Sequence, residues 1–163
     1  MSEQISSFRG HLAMRLATIK DIPNIEKLIV STYTKYISRM NGVTPGPMRD
    51  NYYEVLESHG IYILEDGSGL AALLVLINED DHLLLDNIAV RPDLHGRGIG
   101  RDLFEFADEQ AIERGYKELR LYTAEAMWEN IALYENTGWI EYDRFVQNGY
   151  PRVFMRKTAN QYT

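Results

Sequence analysis

The sequence has no cysteine in its 163 residues, which excludes a disulfide, a thiolate metal site and a cysteine nucleophile. Its histidines lack the His-x-x-x-His spacing of a helical metal site, and we therefore predict no metal ion; they are His11, His59, His82 and His95. No apolar run approaches the roughly 18 residues of a membrane span. Lysine and arginine form no cluster and the net charge is -7, so nucleic acid is not an expected partner.

The amino-terminal segment MSEQISSFRGH also lacks the apolar stretch of a secretory signal. We predict that residues 1–11 form a frayed tail and that the protein is cytoplasmic. A length of 163 residues with 45% hydrophobic content predicts one domain over residues 1–163. The acidic net charge suits a neutral or cationic substrate such as an amine, although it also serves solubility alone.

Hydrophobic periodicity predicts an α/β domain with a mixed sheet and the element order β-α-α-β-β-β-α-β-α-β-β. A first strand precedes Asp21, the predicted N-cap of a helix that runs to about Arg39, and a second helix ends at Gly60. The next three strands, IYILED, LAALLVLINED and HLLLDNIAV, are expected to form an antiparallel meander. A helix ending at Gly115, the strand KELRLYT, the helix MWENIALYENTG and two final strands complete the order.

The segment RPDLHGRGIG places glycines at alternate positions 96, 98 and 100, between a buried strand and a helix. Unpaired backbone N–H groups at such a helix N-terminus, together with the helix dipole, form an anion site that a phosphate can approach closely. A tight turn that needs positive φ is the alternative. The segment lacks the Gly-Lys-Ser/Thr of a P-loop and the Gly-x-Gly-x-x-Gly spacing of a dinucleotide fold, and it follows the fourth predicted strand rather than the first.

Two ordered motifs resemble the GNAT superfamily of acyl-CoA-dependent N-acyltransferases. The family's pyrophosphate motif, Gln/Arg-x-x-Gly-x-Gly/Ala after a strand ending in Val-x-Pro, is matched by AVRP followed by HGRGIG. Gly98 and Gly100 occupy the motif glycines, and His95 stands where the family has glutamine or arginine. The second family motif is matched by NIALYENTGW. The resemblance covers about residues 12–157 and implies the family's fold, with acetyl-CoA as co-substrate.

The resemblance also implies which residues hold the cofactor. The pantetheine arm is expected to lie along the predicted strand that precedes the glycines, and that strand is expected to splay from KELRLYT to make room. The backbone N–H of Val90 is then expected to stabilise the oxyanion that forms during transfer. The predicted cofactor-binding residues are Ile88, Ala89, Val90, His95, Gly96, Arg97, Gly98, Gly100, Arg101 and Asn130.

Tyr134 and Asp86 are the predicted catalytic residues. The resemblance implies that Tyr134 protonates the departing thiolate, and a phenol of pKa ~10 is a chemically suitable donor to a thiolate whose acid has a pKa of ~8.5. The alternative is a packed aromatic ring beside Ile131. By strand alternation Asp86 shares a face with Ile88 and Val90 in a strand covered on both sides, so its carboxylate must be paired, face a cleft or carry a raised pKa.

The resemblance assigns Asp86 the role of general base for the attacking amine. The sequence leaves two alternatives open. In one, the carboxylate of Asp86 caps backbone N–H groups near a bulge; in the other, water accepts the proton of the amine.

The acceptor pocket is expected between the first helices and the last hairpin, whose side chains are rich in tyrosine and arginine: Tyr33, Tyr36, Arg39, Tyr52, Tyr53, Tyr150 and Arg152. Tyr33, Arg39 and Tyr150 are the predicted substrate-binding residues. Arg39 would pair with a substrate carboxylate in an amino-acid-like or peptide acceptor, unless it lies along the surface of its helix.

The predicted function is transfer of an acetyl group from acetyl-CoA to a primary amine of a small molecule or peptide. Two alternatives belong to other classes of protein. A noncatalytic acyl-CoA sensor would keep the glycine loop without needing Tyr134 or Asp86, and a partner-binding module would keep the fold alone. A homodimer that pairs through the final strands is a possible assembly. The sequence leaves open the identity of the amine and the length of the acyl group.

Overall fold

The computed structural model describes residues 4–8, as backbone, and residues 12–160. Its strands are β1 Gln4–Phe8, β2 Leu12–Leu16, β3 Tyr62–Glu65, β4 Leu70–Asn78, β5 Leu83–Val90, β6 Glu118–Ala124, β7 Ile140–Gln147 and β8 Tyr150–Thr158. Its helices are α1 Ile22–Tyr33, α2 Tyr36–Arg39, α3 Tyr52–Ser58, α4 Ile99–Glu113 and α5 Trp128–Asn136. The predicted order of elements is confirmed from β2 onward, except that the first predicted helix is divided into α1 and α2.

β1 corrects the expectation of a frayed amino-terminal tail. Residues 4–8 form a strand that pairs antiparallel with β2, with Phe8 opposite Leu12 and Gln4 opposite Arg15. Hydrogen bonding to the free edge of β2 accounts for this strand, because its mixed sequence QISSF carries little strand pattern of its own. The remaining tail residues, 1–3 and 9–11, lie outside the described part of the chain.

The described strands form one eight-stranded sheet in the order β1-β2-β3-β4-β5-β6-β8-β7. β3, β4 and β5 form the predicted antiparallel meander. β5 and β6 are parallel, as expected for strands joined by a crossover helix, here α4. That parallel pair is short: only Leu83 opposite Leu119 and Leu84 opposite Arg120 are in register, and beyond them the two strands separate.

Each face of the sheet carries its own core. On one face α4 packs Leu103, Phe104 and Ala107 against the sheet, and Tyr134 of α5 joins the same cluster. On the other face α1 packs Ile25 and its apolar neighbours against a second cluster, to which α2 and α3 also contribute. Helices on both faces cover β4, which is why this strand is apolar along nearly its whole length.

A β-bulge at Asp86 interrupts the alternation of β5. Leu85 lies opposite Leu76 and Asn87 opposite Val75, so Asp86 is an extra residue between two consecutive pairs. The side chains of Ile88 and Val90 pack on the α4 face. The expectation that Asp86 shares their face is therefore wrong, because strict alternation cannot be continued through a bulge.

In the described residues, no helix is long and apolar enough to cross a membrane.

Candidate active site

A cavity of about 440 Å³ opens where β5 and β6 separate. Its walls include Leu85 and Leu121, whose side chains belong to the α4 face, and Tyr33 and Met40 from the α1 face. The separation of the strands therefore lets side chains from both faces of the sheet line one space. The predicted site residues that line it are Tyr33, Asp86, Ile88, Asn130, Tyr134 and Tyr150.

The glycine loop lies beside the amino end of α4. Gly96 and Gly98 have φ of 79° and 82°, a left-handed conformation that favours glycine, and Gly98 is the N-cap of α4. A Cβ at Gly96 would meet no atom within 4 Å, so open space lies over the loop. The first helical bond runs from the N–H of Asp102 to the carbonyl of Gly98, which leaves the N–H groups of the three residues between them without a helical acceptor.

This loop fits a pyrophosphate. Unpaired N–H groups, the positive end of a 15-residue helix and open space over a glycine are the features that bind a phosphate through backbone. Arg97 and Arg101 are exposed on the loop and on the first turn of α4. Gly100 is helical, and a Cβ there would make only ordinary contact with Leu133 at 3.8 Å, so its lack of a side chain is not required by packing within the chain.

The edge of β5 that faces the gap fits the arm of the same cofactor. The N–H of Arg91 donates to the carbonyl of Ala71 on the β4 side, so the backbone of Ala89, two residues earlier, faces β4 as well. Ile88 and Val90 have the opposite orientation, and their N–H groups point into the gap where β6 offers no partner. The N–H groups of Ile88 and Val90 therefore remain as free donors on this edge. The backbone of Ala89, which was also predicted to bind the cofactor, points away from the gap.

His95 closes the glycine loop onto β5. Its Nε2 lies 2.7 Å from the carbonyl oxygen of Val90, and because a carbonyl only accepts, Nε2 carries the hydrogen. The histidine thus ties the loop to the strand through one side-chain donor, and the side chain of a glutamine also carries such a donor.

Tyr134 lies buried on α5 with its ring against Phe104 and Trp139, whose centroids are 5.6 and 6.2 Å away. It lines the cavity, and its hydroxyl makes no hydrogen bond with the described residues. Burial raises its pKa above the ordinary phenol value, and the nearby hydroxyl of Tyr36 adds to the shift. Tyr134 therefore stays protonated at neutral pH and keeps its proton available to a group in the cavity.

Asp86 faces the cavity from the bulge. Burial raises the pKa of its carboxyl, and the negative charge of Asp50 raises it further, while His59 acts in the opposite direction. Both neighbours lie at the ends of α3, so the carboxylate is on the α1 and α3 side of the sheet. Asp86 forms no hydrogen bond or ion pair with the described residues, and of the three options open at the sequence level this geometry favours a carboxylate in a cleft with a raised pKa.

A buried polar network holds the wall beside Asp86. The Tyr33 hydroxyl lies 2.8 Å from Oδ1 of Asn87 and 3.0 Å from the carbonyl oxygen of Ile88. Nδ2 of Asn87 donates to the Tyr52 hydroxyl at 3.2 Å, and that hydroxyl donates to the carbonyl of Pro47. Tyr33, predicted to bind substrate, thus has its hydroxyl committed to the wall.

Neither Asn87 nor the role of Tyr52 follows from the sequence motifs. The sequence nevertheless carries one signal for the network, because Asp86 and Asn87 are consecutive polar residues in an otherwise apolar strand, and buried polar groups need hydrogen-bond partners.

Arg39 does not face the cavity as expected for a substrate-binding residue. Its Nη1 lies 2.6 and 2.8 Å from the carboxylate oxygens of Glu129, and its guanidinium lies 4.0 Å from the centroid of Trp128. An ion pair and a stacked ring from α5 hold the guanidinium against that helix, which the sequence could not reveal because the partners are 90 residues apart.

The other predicted aromatic residues are divided between wall and surface. Tyr150 lines the cavity and donates from its hydroxyl to the carbonyl of Arg39 at 3.2 Å. Tyr36 is buried, which raises the pKa of its hydroxyl. Tyr53 is 51% exposed and does not line the cavity. Arg152, by contrast, lines the cavity.

The opened parallel pair and the glycine turn are the features that the resemblance to acyl-CoA-dependent transferases led us to expect. A family model described as an acetyltransferase (GNAT) domain matches residues 57–141. The N-acetyltransferase YjgM of Escherichia coli K12, which is uncharacterised, is 31% identical over 140 residues, covering 80% of this chain and 83% of that protein.

Two solved structures share the fold. A GNAT family acetyltransferase from Elizabethkingia anophelis with acetyl-CoA bound superposes with a TM-score of 0.70 at 18% identity, over 92% of this chain and 99% of that one. The ribosomal-protein-S18-alanine N-acetyltransferase of Escherichia coli gives a TM-score of 0.69 at 20% identity, over 93% and 96% of the two chains. The chain belongs to the GNAT acetyltransferase family and is an acyl-CoA-dependent N-acetyltransferase.

Proposed function

We propose that this protein transfers an acetyl group from acetyl-CoA to a primary amine by direct attack, with Tyr134 as general acid and Asp86 as general base. One observation carries the proposal: Tyr134 and Asp86, from opposite faces of the sheet, line one cavity at the β5–β6 gap. The acceptor is an amine of a small molecule or a peptide. Predictions from the sequence also remain for one domain over residues 1–163, for a cytoplasmic location and for a homodimer.

The donor side binds through backbone. The N–H groups at the start of α4 and around Gly96 and Gly98 hold the pyrophosphate, while Arg97 and Arg101 add positive charge. The N–H groups of Ile88 and Val90 hold the pantetheine arm in the gap, and Asn130 on α5 borders the same space. Acetyl-CoA supplies an activated acyl group whose transfer releases a thiol.

Asp86 acts on the incoming amine. An amine reacts through its neutral form and must lose a proton as its nitrogen bonds to the acyl carbon, and a carboxylate in the cavity accepts that proton. The raised pKa of Asp86 makes it a stronger base than an exposed aspartate, because burial disfavours its charged form. Val90 N–H, unpaired on the gap edge, donates to the carbonyl oxygen as negative charge develops there.

Tyr134 acts on the leaving group. Its unpartnered hydroxyl, which burial keeps in the neutral form, gives a proton to sulfur as the carbon–sulfur bond breaks, and the phenolate that remains regains a proton from solvent after the thiol leaves. Because the sequence has no cysteine, the acyl group cannot pass through a cysteine thioester. Both electrons of the broken carbon–sulfur bond stay on sulfur. The proton from Tyr134 neutralises the thiolate that forms.

Two measurements test the proposal. In a thermal-shift titration acetyl-CoA should raise the melting temperature, because a ligand that binds only the folded state stabilises it. A panel of amines incubated with acetyl-CoA should then release thiol, and the reading has no protein background because the chain lacks cysteine. A shift without thiol release would identify an acyl-CoA sensor, and the absence of any shift at saturating acetyl-CoA would leave only a partner-binding module.

A further inference from the structure

We infer that Arg152 binds a carboxylate of the acceptor, so that the substrate carries an amine and a carboxylate on one molecule. This inference rests on the proposed function, because it assigns the acceptor of the same cavity. It gives to Arg152 on β8 the role that the sequence suggested for Arg39 on α2.

Arg152 lies half-buried in the wall of the cavity. Its guanidinium is 5.0 Å from the centroid of the Tyr122 ring, which fixes its plane from one side. From another side the loop before α3 approaches, since a Cβ on Gly46 would lie 3.7 Å from Nη2 of this arginine. The side chain is therefore positioned by its surroundings rather than extended into solvent.

Arg152 differs from the other half-buried arginines of the described residues in its partners. Arg15, Arg39, Arg91 and Arg120 each form an ion pair with at least one carboxylate. Arg114 donates to neutral oxygens of Asn78 and Tyr62. Arg152 alone has neither a carboxylate within 4.0 Å nor a hydrogen-bonded amide in the described structure, and a guanidinium withdrawn partly from water gains most from an anion that arrives with a ligand.

The carboxylates of the cavity do not neutralise this arginine. Asp50 influences Arg152 only at longer range, and its charge also acts on Asp86. Burial raises the pKa of Tyr122, which lies on β6 between them. The charge of Asp86 raises this pKa further, whereas the charge of Arg152 lowers it. The cavity thus holds the proposed proton acceptor on β5 and a cation on β8, two strands apart in the sheet and on opposite sides of the gap between β5 and β6.

An acceptor with one amine and one carboxylate matches this arrangement. Its amine approaches Asp86 and its carboxylate meets Arg152 through two parallel N–H donors, the geometry in which arginine recognises a carboxylate. A simple alkylamine would leave the arginine without an anionic partner. The separation of the two groups favours an amine and a carboxylate joined by several bonds.

The test compares matched acceptors with purified protein. Amino acids of increasing length from glycine to 6-aminohexanoate are compared with their carboxamides, and the amidated peptide Ala-Glu with amidated Ala-Gln. Wild-type protein should show a kcat/KM for the preferred acid about 10- to 100-fold above that for its amide, the range expected for a charge-assisted pair. The amino-acid and peptide arms show whether the carboxylate belongs to a free amino acid or to a peptide side chain.

Three variants complete the test. Arg152→Gln should bring the ratio of acid to amide close to one, and Arg152→Lys should give an intermediate ratio because it keeps charge without the paired donors. Arg156→Gln removes the same charge from an exposed position on the same strand and should leave the ratio as in wild type. An acid-to-amide ratio near one in wild type, or a ratio that Arg152→Gln does not change, would overturn the inference.

A binding measurement separates this inference from the proposed function. The N-acetylated form of 6-aminohexanoate and its amide are titrated by calorimetry into wild type and Arg152→Gln. If no amine is acetylated yet the acid binds wild type and not the variant, the proposed catalysis fails and the carboxylate site stands. If amines are acetylated and the acid binds wild type and Arg152→Gln equally well, the reaction stands and the carboxylate site is refuted.

Discussion

The proposed donor side and the proposed acceptor side of this site are built from different parts of the chain. On the proposed donor side, between Val90 and the first turn of α4, the groups available to a ligand are backbone N–H groups beside Gly96 and Gly98. On the acceptor side the groups are side chains brought together from β5, β6 and β8 and from the loop before α3. Backbone recognition requires particular local residues at fixed spacing and leaves a motif, whereas side-chain recognition depends on the assembled fold and leaves none.

Tyr134→Phe should have the largest effect, because it removes the proposed proton donor to the leaving thiolate. We expect kcat to fall by about 100-fold or more, as for loss of a general acid, while the affinity for acetyl-CoA stays within about twofold. The melting temperature should not fall, since the hydroxyl has no hydrogen-bond partner in the described residues. Equal kcat in the variant would refute the assignment of Tyr134 as acid.

Gly98→Ala should have the next largest effect, and of the two substrates it should change the binding of acetyl-CoA alone. A side chain at a φ of 82° costs roughly 1–2 kcal/mol in backbone strain and moves the N–H groups at the start of α4. We expect the dissociation constant of acetyl-CoA to rise by about tenfold or more in calorimetry.

Gly67→Ala is the matched control, because Gly67 has a φ of 84° in the turn between β3 and β4. It should lower the melting temperature by a similar amount and leave the affinity for acetyl-CoA unchanged. Similar losses of affinity in both variants would show that strain, and not the position of Gly98, weakens binding.

Asp86→Asn tests whether the acceptor side supplies the base. In wild type kcat/KM should rise with pH through the raised pKa of Asp86, because only the carboxylate accepts a proton. The variant should lose that rise and about tenfold in kcat/KM at neutral pH, keeping only the dependence that comes from the amine itself. An unchanged pH profile would assign the role of base to water.

Asp86→Asn should also raise the stability of the folded protein, although it lowers kcat/KM. A carboxyl whose pKa is raised by folding destabilises the folded state above that pKa, where the unfolded chain ionises more easily. The variant should therefore melt at a higher temperature than wild type at pH 7. The difference should vanish as the pH falls to about 4, near the ordinary pKa of aspartate.

His95 should give the smallest effect, because it orients the donor side rather than facing the ligand. His95→Gln carries a donor in place of Nε2 and should keep the affinity for acetyl-CoA within about twofold, while His95→Ala should weaken it several-fold through loss of one hydrogen bond. Both are measured by thermal shift and calorimetry. Equal affinity in His95→Ala and wild type would show that the glycines alone shape the loop.

The two sides also differ in how far sequence reasoning reaches. The order of elements, the meander and the glycine loop follow from local patterns, and Tyr134 is marked by its motif. The partners of Arg39 and Asn87 do not, because Glu129 and Tyr52 approach them only after helices have packed on the sheet. β1 was missed for the same reason, since pairing with β2 and not its own sequence makes it a strand.

The bulge in β5 has a consequence for how this site can be gained or lost. Leu85 and Asn87 already lie opposite consecutive residues of β4, so Asp86 has no opposite number in the ladder. Removing its single codon would leave every other residue of β5 on its present face, with no need for a compensating change in β4. The carboxylate proposed as the base can therefore enter or leave this fold as a one-residue insertion or deletion, without passing through a misregistered sheet.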